Sequence, residues 1–218
     1  RVEKLDKNTL LCVVCDGMGG AKAGNVASTL AAETFTREVK NAWSSDLSGK
    51  RLEQMLRDAV KMANFTVYDQ SQQFQEFSGM GTTLVSVLVM GDVAHVVHVG
   101  DSRAYHIHHS KIQRVTVDHS VVQQLVQIGQ ISEEEAKNHP EKNMITRAVG
   151  VKEEVEPEIN TFKVGKTSSI LLCSDGLSNL VEESEMLEIV NQNEPETAVD
   201  KLISLALERG GNDNITAV

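Results

Sequence analysis

Leu10-Leu11-Cys12-Val13-Val14-Cys15-Asp16-Gly17-Met18-Gly19-Gly20 is the stretch on which the reading of the chain turns. Its six leading residues are apolar without a break, the length and composition of a strand buried on both faces. The run stops at a carboxylate followed by three glycines in four positions. Glycine lets backbone approach an ion or a phosphate, because no Cβ intervenes. A strand running into a loose turn would read the same way, so the stretch alone assigns no chemistry.

The pattern recurs. Val96-Val97-His98-Val99-Gly100-Asp101-Ser102-Arg103 is a second apolar run ending in Gly-Asp, and Ile170-Leu171-Leu172-Cys173-Ser174-Asp175-Gly176 a third ending in Asp-Gly. Gly210-Gly211-Asn212-Asp213-Asn214 is a glycine-rich turn with a fourth carboxylate, and Ile215 starts another strand-like run. Four aspartates at strand or turn ends can converge on one spot. Carboxylates brought together repel unless a cation neutralises them. An all-oxygen cluster suits Mg²⁺ or Mn²⁺ rather than zinc.

A length of 218 residues fits one large domain, and the net charge of −10 argues against a nucleic-acid partner. The three cysteines, Cys12, Cys15 and Cys173, lie in apolar runs, which suits a reducing compartment and no disulfide framework. Cys12 and Cys15 are three apart, so a strand points them to opposite faces, and no metal or redox pair is expected. No apolar run approaches the ~20 residues needed to span a membrane. A cytoplasmic location is expected.

Helices are expected over 24–43 and 51–72 from their apolar stripes. Neither phosphate-binding fingerprint fits the first of them. Asn25-Val26 stands where a phosphate loop needs Lys-Ser/Thr, and Lys22 where a dinucleotide fingerprint needs its third glycine. Gly79 to Thr83 reads as a tight turn and Arg1 to Thr9 as a loop or strand edge. Leu84–Met90 with Val93–Gly100, and Arg103–His108 with Ile112–Val117, read as hairpins. His106 and His108 share a face and read as solvated surface. Residues 119–146 form a small helical insertion, with Ser132-Glu133-Glu134-Glu135 as a capping box. Strands 159–164 and 168–174 and helices 183–191 and 195–208 follow. Successive hairpins with segregated helices give an α+β layered fold rather than a Rossmann sheet.

Six motifs now stand in order: Asp16-Gly17-Met18-Gly19-Gly20, Gly79-Met80-Gly81-Thr82-Thr83, Gly100-Asp101-Ser102-Arg103, Asp118-His119-Ser120, Ser174-Asp175-Gly176 and Asp213-Asn214-Ile215-Thr216. This series resembles the metal-dependent protein serine/threonine phosphatases of the 2C type, bacterial branch. Each motif is weak alone, and six in order are highly specific. The resemblance implies a β-sandwich of two antiparallel sheets flanked by α-helices on both faces, as a single phosphatase catalytic domain over 1–218. It implies two Mn²⁺ or Mg²⁺ ions, with a third in bacterial members. The metal residues it implies are Asp16, Gly17 through its carbonyl, Asp101, Asp175 and Asp213. Asp16, Asp175 and Asp213 would be catalytic through metal-bound water, and 119–146 would be the family's flap. Implied partners are phosphorylated proteins, a serine/threonine kinase among them. Neither nucleic acid nor membrane is implied, and a monomer is expected.

Two departures qualify the resemblance. The family opens with an Arg and an acidic residue ahead of the first aspartate strand, but Arg1-Val2-Glu3-Lys4-Leu5-Asp6 lies too close to Asp16 to fit. Arg1, Glu3 and Asp6 are therefore given no role. Trimming of the first strand and of the last one at Val218 is the expected cause. The alternative is real loss, leaving a weak enzyme or a 2C-like regulatory module without turnover. Second, Met18 stands where eukaryotic relatives carry a histidine proposed as general acid, and Met cannot donate a proton.

Overall fold

The computed structural model describes all 218 residues, Arg1–Val218. Two antiparallel sheets stack face to face. The larger has the order β1-β2-β5-β6-β9, formed by Val2–Asp6, Thr9–Val14, Leu84–Met90, Val93–Val99 and Glu158–Lys163. The smaller has the order β10-β7-β8, formed by Ser168–Cys173, Arg103–His108 and Lys111–Arg114. A separate two-stranded ribbon pairs β3 (Gly17–Met18) with β4 (Gly81–Thr82).

Helices cover both outer faces. α1 (Ala21–Ala42) and α2 (Gly49–Gln73) pack on the larger sheet, burying Phe35, Leu52, Leu56 and Val60 against Leu11, Val13, Leu84 and Val97. α6 (Glu183–Gln192) and α7 (Pro195–Glu208) pack on the smaller sheet, burying Met186 and Leu202 against Tyr105 and Ile107. Between the sheets lie Cys12, Val14, Val85, Val87, Val96 and Leu172. The odd positions of β2 thus face one layer and the even positions the other, as the period of two requires. Cys12 faces the inter-sheet layer and Cys15 packs against the helical one, and all three cysteines are free. No helix is long and apolar enough to cross a membrane.

The expected helices and hairpins are present to within a few residues, and α7 has its expected bounds. The short helices α3 (Val121–Gln127) and α4 (Glu133–Lys137) occupy 119–146, and Ser132 with Glu135 forms the capping box. One open alternative is resolved and three expectations need correction. Of the two readings of residues 1–9, the strand edge holds: β1 is the edge strand and pairs with β2 from Val2↔Cys12 to Asp6↔Thr9. Gly79–Thr83 is not only a turn. Gly79 takes the positive φ of 74°, which frees Gly81–Thr82 to pair with Gly17–Met18. Asp175 does not end a strand but opens the one-turn α5 (Asp175–Ser178). Ile215 starts no regular strand, only a bridge from Ala217 to Cys173.

Candidate metal centre

β2 and β6 both run antiparallel to β5, so they are parallel to each other and end at the same edge of the sheet. Asp16 follows β2 and Asp101 follows β6, and both therefore arrive at that edge. β10 of the other sheet delivers Asp175, and the loop after α7 delivers Asp213.

Local hydrogen bonds fix each arrival. The Asp16 carbonyl accepts the Thr83 N–H and the Thr82 hydroxyl, both at 2.8 Å. The Asp16 N–H donates to Thr83 Oγ1 at 2.9 Å, and that hydroxyl lies 2.7 Å from Ser102 Oγ. Buried Ser174 clamps the other pair. Its hydroxyl donates to the Asn214 carbonyl at 2.9 Å and accepts the Thr216 N–H at 3.0 Å. A Cβ on Gly176 would meet the Asn214 carbonyl oxygen at 2.4 Å, so only glycine lets the two loops close. Gly17 is as constrained. A Cβ there would lie 1.9 Å from the carbonyl oxygen of Gly24 in α1. This contact holds the Gly17 strand against the first turn of α1.

The electrostatics are those of an unneutralised acidic cluster. Burial first, then repulsion from Asp175, Asp213 and Asp101, pushes the Asp16 carboxyl up to about 7. Burial and Asp175 likewise raise Asp101 to about 7. Asp175 is raised by burial and by Asp213, while Asn179 donates to its Oδ2 at 3.1 Å. No ammonium or guanidinium forms an ion pair with any of the four. Arg103, the nearest cationic residue in sequence, is spent on Asp118, with Nη2 to Oδ2 at 2.7 Å and Nε to both oxygens at 3.1 Å. Half-buried carboxylates that repel one another and have no cationic partner suit hard divalent cations with oxygen ligands. The donor set fits Mg²⁺ or Mn²⁺.

The protein phosphatase 2C family model matches residues 1–207. The chain belongs to the protein phosphatase 2C family. It is 37% identical over 215 residues to the serine/threonine phosphatase stp of Listeria monocytogenes, covering 97% of this chain and 84% of the relative. It is 38% identical over 208 residues to the serine/threonine protein phosphatase PstP of Mycobacterium tuberculosis, covering 95% of this chain and 39% of that longer protein. Among solved structures, the PstP catalytic domain in complex with two manganese ions superposes with a TM-score of 0.83 at 35% identity, covering 100% of this chain and 88% of that one. A serine/threonine phosphatase from Staphylococcus aureus superposes with a TM-score of 0.89 at 37% identity, covering 100% and 85%. These relatives are bacterial, as the motif series implied.

A second cluster was missed in the sequence. His98, His119 and Glu158 bring one ligand atom each within 4.8 Å of one another. His98 lies on β6 and is fully buried. The cross-strand pairing His98↔Glu158 creates this cluster, and that register is not visible in sequence. The hydrogen bonds of His119 speak against that ring as a metal ligand, while the buried His98 Nδ1 has no partner. The Gly100 N–H can only donate, so His119 Nδ1 accepts and the ring proton sits on Nε2, facing Glu158. The Val117 carbonyl can only accept, so His98 carries its proton on Nε2 as well. His106 and His108 stack at 6.1 Å and share Ser168 Oγ, and neither enters the metal centre.

Proposed function

We infer that the four-aspartate edge is the catalytic centre of a metal-dependent serine/threonine protein phosphatase, at which phosphoserine and phosphothreonine in proteins are hydrolysed. The observation that carries this reading is the convergence of Asp16, Asp101 and Asp175, half-buried, on one edge without a cationic partner. Asp16, the Gly17 carbonyl, Asp175 and Asp213 would hold the two Mn²⁺ or Mg²⁺ ions, and Asp101 with Asp175 a third. When bound, such ions acidify water to give a nucleophile near neutral pH and neutralise charge on the phosphoryl oxygens. The work of the chain is to fix the carboxylates before substrate arrives. Thr83 and Ser174 do so through the bonds given above. No nucleophilic side chain is called for: burial pushes the Cys15 and Cys173 thiols up to about 12, leaving them inert.

The substrate protein has a place to lie. A groove of about 700 Å³ runs between the 119–146 segment and the α5–α6 region, lined by Arg103, Asp118, Gln123, Lys137, Ser178 and Asn179. Asn179 donates to Asp175, so the groove opens beside the centre. The segment is the flap in this reading, and the Lys137–Glu182 ion pair at 3.4 Å bridges it to the loop before α6. The finer reading is a monomer that acts in the cytoplasm and opposes a bacterial serine/threonine kinase. The sequence relatives favour the enzyme over a module without turnover.

Hydrolysis of p-nitrophenyl phosphate and of a phosphothreonine peptide tests this reading. Turnover that needs Mn²⁺ and stops with EDTA is expected. Mn²⁺ binding without turnover would instead favour a regulatory module.

A further inference from the structure

His119 makes two bonds to a single residue. Its backbone N–H donates to the Gly100 carbonyl at 2.9 Å, and its ring Nδ1 accepts the Gly100 N–H at 3.1 Å. The ring is buried and stacked on His98, with centroids 4.7 Å apart. Its Nε2 lies 3.1 Å from Glu158 Oε1 and 3.2 Å from Arg147 Nη1, which also donates to that Glu158 oxygen at 3.1 Å. The Gly100 N–H can only donate, so Nδ1 is the acceptor and the ring proton sits on Nε2, on the side of Glu158.

Gly100 immediately precedes Asp101. Its φ of 105° is open to glycine, and a Cβ there would meet Thr83 Cγ2 at 2.7 Å. Gly100 thus has no side chain of its own to hold it, and the His119 ring anchors it on one side as the Ser102–Thr83 contact anchors the turn on the other. The same histidine closes the base of the 119–146 segment, where its carbonyl accepts the Thr146 N–H at 2.7 Å and Arg147 follows.

We propose that His119 is a positioning residue for the metal centre: its Nδ1 accepts the Gly100 N–H, with Glu158 facing Nε2, and so holds the Gly100–Asp101 turn where Asp101 joins Asp16 and Asp175. This rests on the reading of Asp101 as a metal ligand. His119 touches neither ion nor substrate in this role. Partners of this kind are worth ~10- to 100-fold in metal affinity.

Asn and Gln separate the two ring nitrogens. Asn at 119 places an oxygen near the position of Nδ1 and loses the bond to Glu158. Gln reaches toward Glu158 and loses the acceptor for Gly100. Mn²⁺ titration by calorimetry on the wild type, His119→Asn, His119→Gln and Asp101→Asn, with amide exchange at Gly100, is the test. Asp101→Asn and His119→Gln should each weaken Mn²⁺ binding ~10-fold or more. His119→Asn should stay close to wild type, and Gly100 exchange should quicken only in His119→Gln. Wild-type binding by His119→Gln beside a weakened Asp101→Asn overturns the proposal and leaves the metal reading intact. Wild-type binding by Asp101→Asn overturns the metal reading, and the proposal with it. Should His119→Gln lose its fold by circular dichroism, Glu158→Ala is the second variant. Its carboxylate is partly solvent-exposed, and removing it frees the ring to turn. Faster exchange at Gly100 supports the proposal, and unchanged exchange overturns it.

Discussion

Thr83 Oγ1 and Ser102 Oγ lie 2.7 Å apart in the protein interior. Through this contact the turn that carries Asp101 is tied to the turn that carries Asp16, because Thr83 Oγ1 also accepts the Asp16 N–H. Thr83→Val keeps the shape and removes the acceptor. The Asp16 N–H is then left without a partner, at a cost of about 1–3 kcal/mol. Metal affinity should fall ~10- to 100-fold, since an oriented ligand has lost its support. Thermal melts with EDTA and Mn²⁺ titration check the two effects separately.

The raised Asp16 carboxyl makes stability depend on pH in a definite direction. In the metal-free unfolded chain it ionises near the ordinary value of about 4, whereas in the fold it holds its proton up to about 7. Between these values the native state binds more protons, so Asp16 subtracts stability as pH rises. Asp16→Asn has no such loss. The stability advantage of Asp16→Asn over wild type, measured by urea unfolding with EDTA, should widen from pH 4 to pH 7 and level off above. A gap that stays constant across this range would contradict the unneutralised cluster.

Asn64 on α2 is the least replaceable polar residue of the helical layer. It is buried, donates to the Lys152 and Glu153 carbonyls at 3.0 and 2.9 Å, and accepts the Gly150 N–H at 2.7 Å. That loop presents Val149, which pairs with Thr82 beside Asp16. Asn64→Ala should cost about 3 kcal/mol through groups left unsatisfied. Asn64→Asp, nearly identical in shape, should be at least as damaging, because a carboxylate cannot donate to the two carbonyls. Chemical denaturation of both variants decides this.

Gly17→Ala should be worse than an ordinary surface change. The added Cβ would meet backbone rather than a flexible side chain, at 1.9 Å from the Gly24 carbonyl oxygen. Either α1 or the Gly17–Met18 strand must move, and Asp16 directly precedes that strand. A large fall in melting temperature and in Mn²⁺ affinity is expected. A variant indistinguishable from wild type in both would contradict the close packing.

The layers and most elements were legible because they rest on local periodicity. The stripes of α1 and α2, the hairpins around Gly91-Asp92 and Ser110, and Pro195 opening α7 are each signalled by neighbouring residues. The aspartates were legible for the same reason: Asp16, Asp101 and Asp175 each adjoin glycine at the end of an apolar run, and Asp213 sits in the glycine-rich turn after Gly210-Gly211. What failed depends on register. Nothing near Gly81 says that it pairs with Met18, and nothing near His98 says that it faces Glu158 and stacks on His119. Met18 remains a departure from the eukaryotic pattern. It lies half-buried in the ribbon, with its terminal methyl near Gly81, and offers no proton.

In the function proposed above, carboxylates carry the hydrolysis through bound cations. Asp175→Ala tests it most directly, because Asp175 faces Asp16, Asp101 and Asp213 alike. The measurement is phosphothreonine-peptide hydrolysis with saturating Mn²⁺, beside a melting curve in EDTA. A folded protein is expected, at least as stable as wild type without metal, with no metal-dependent turnover. A folded Asp175→Ala that turns over at the wild-type rate would contradict the proposed function.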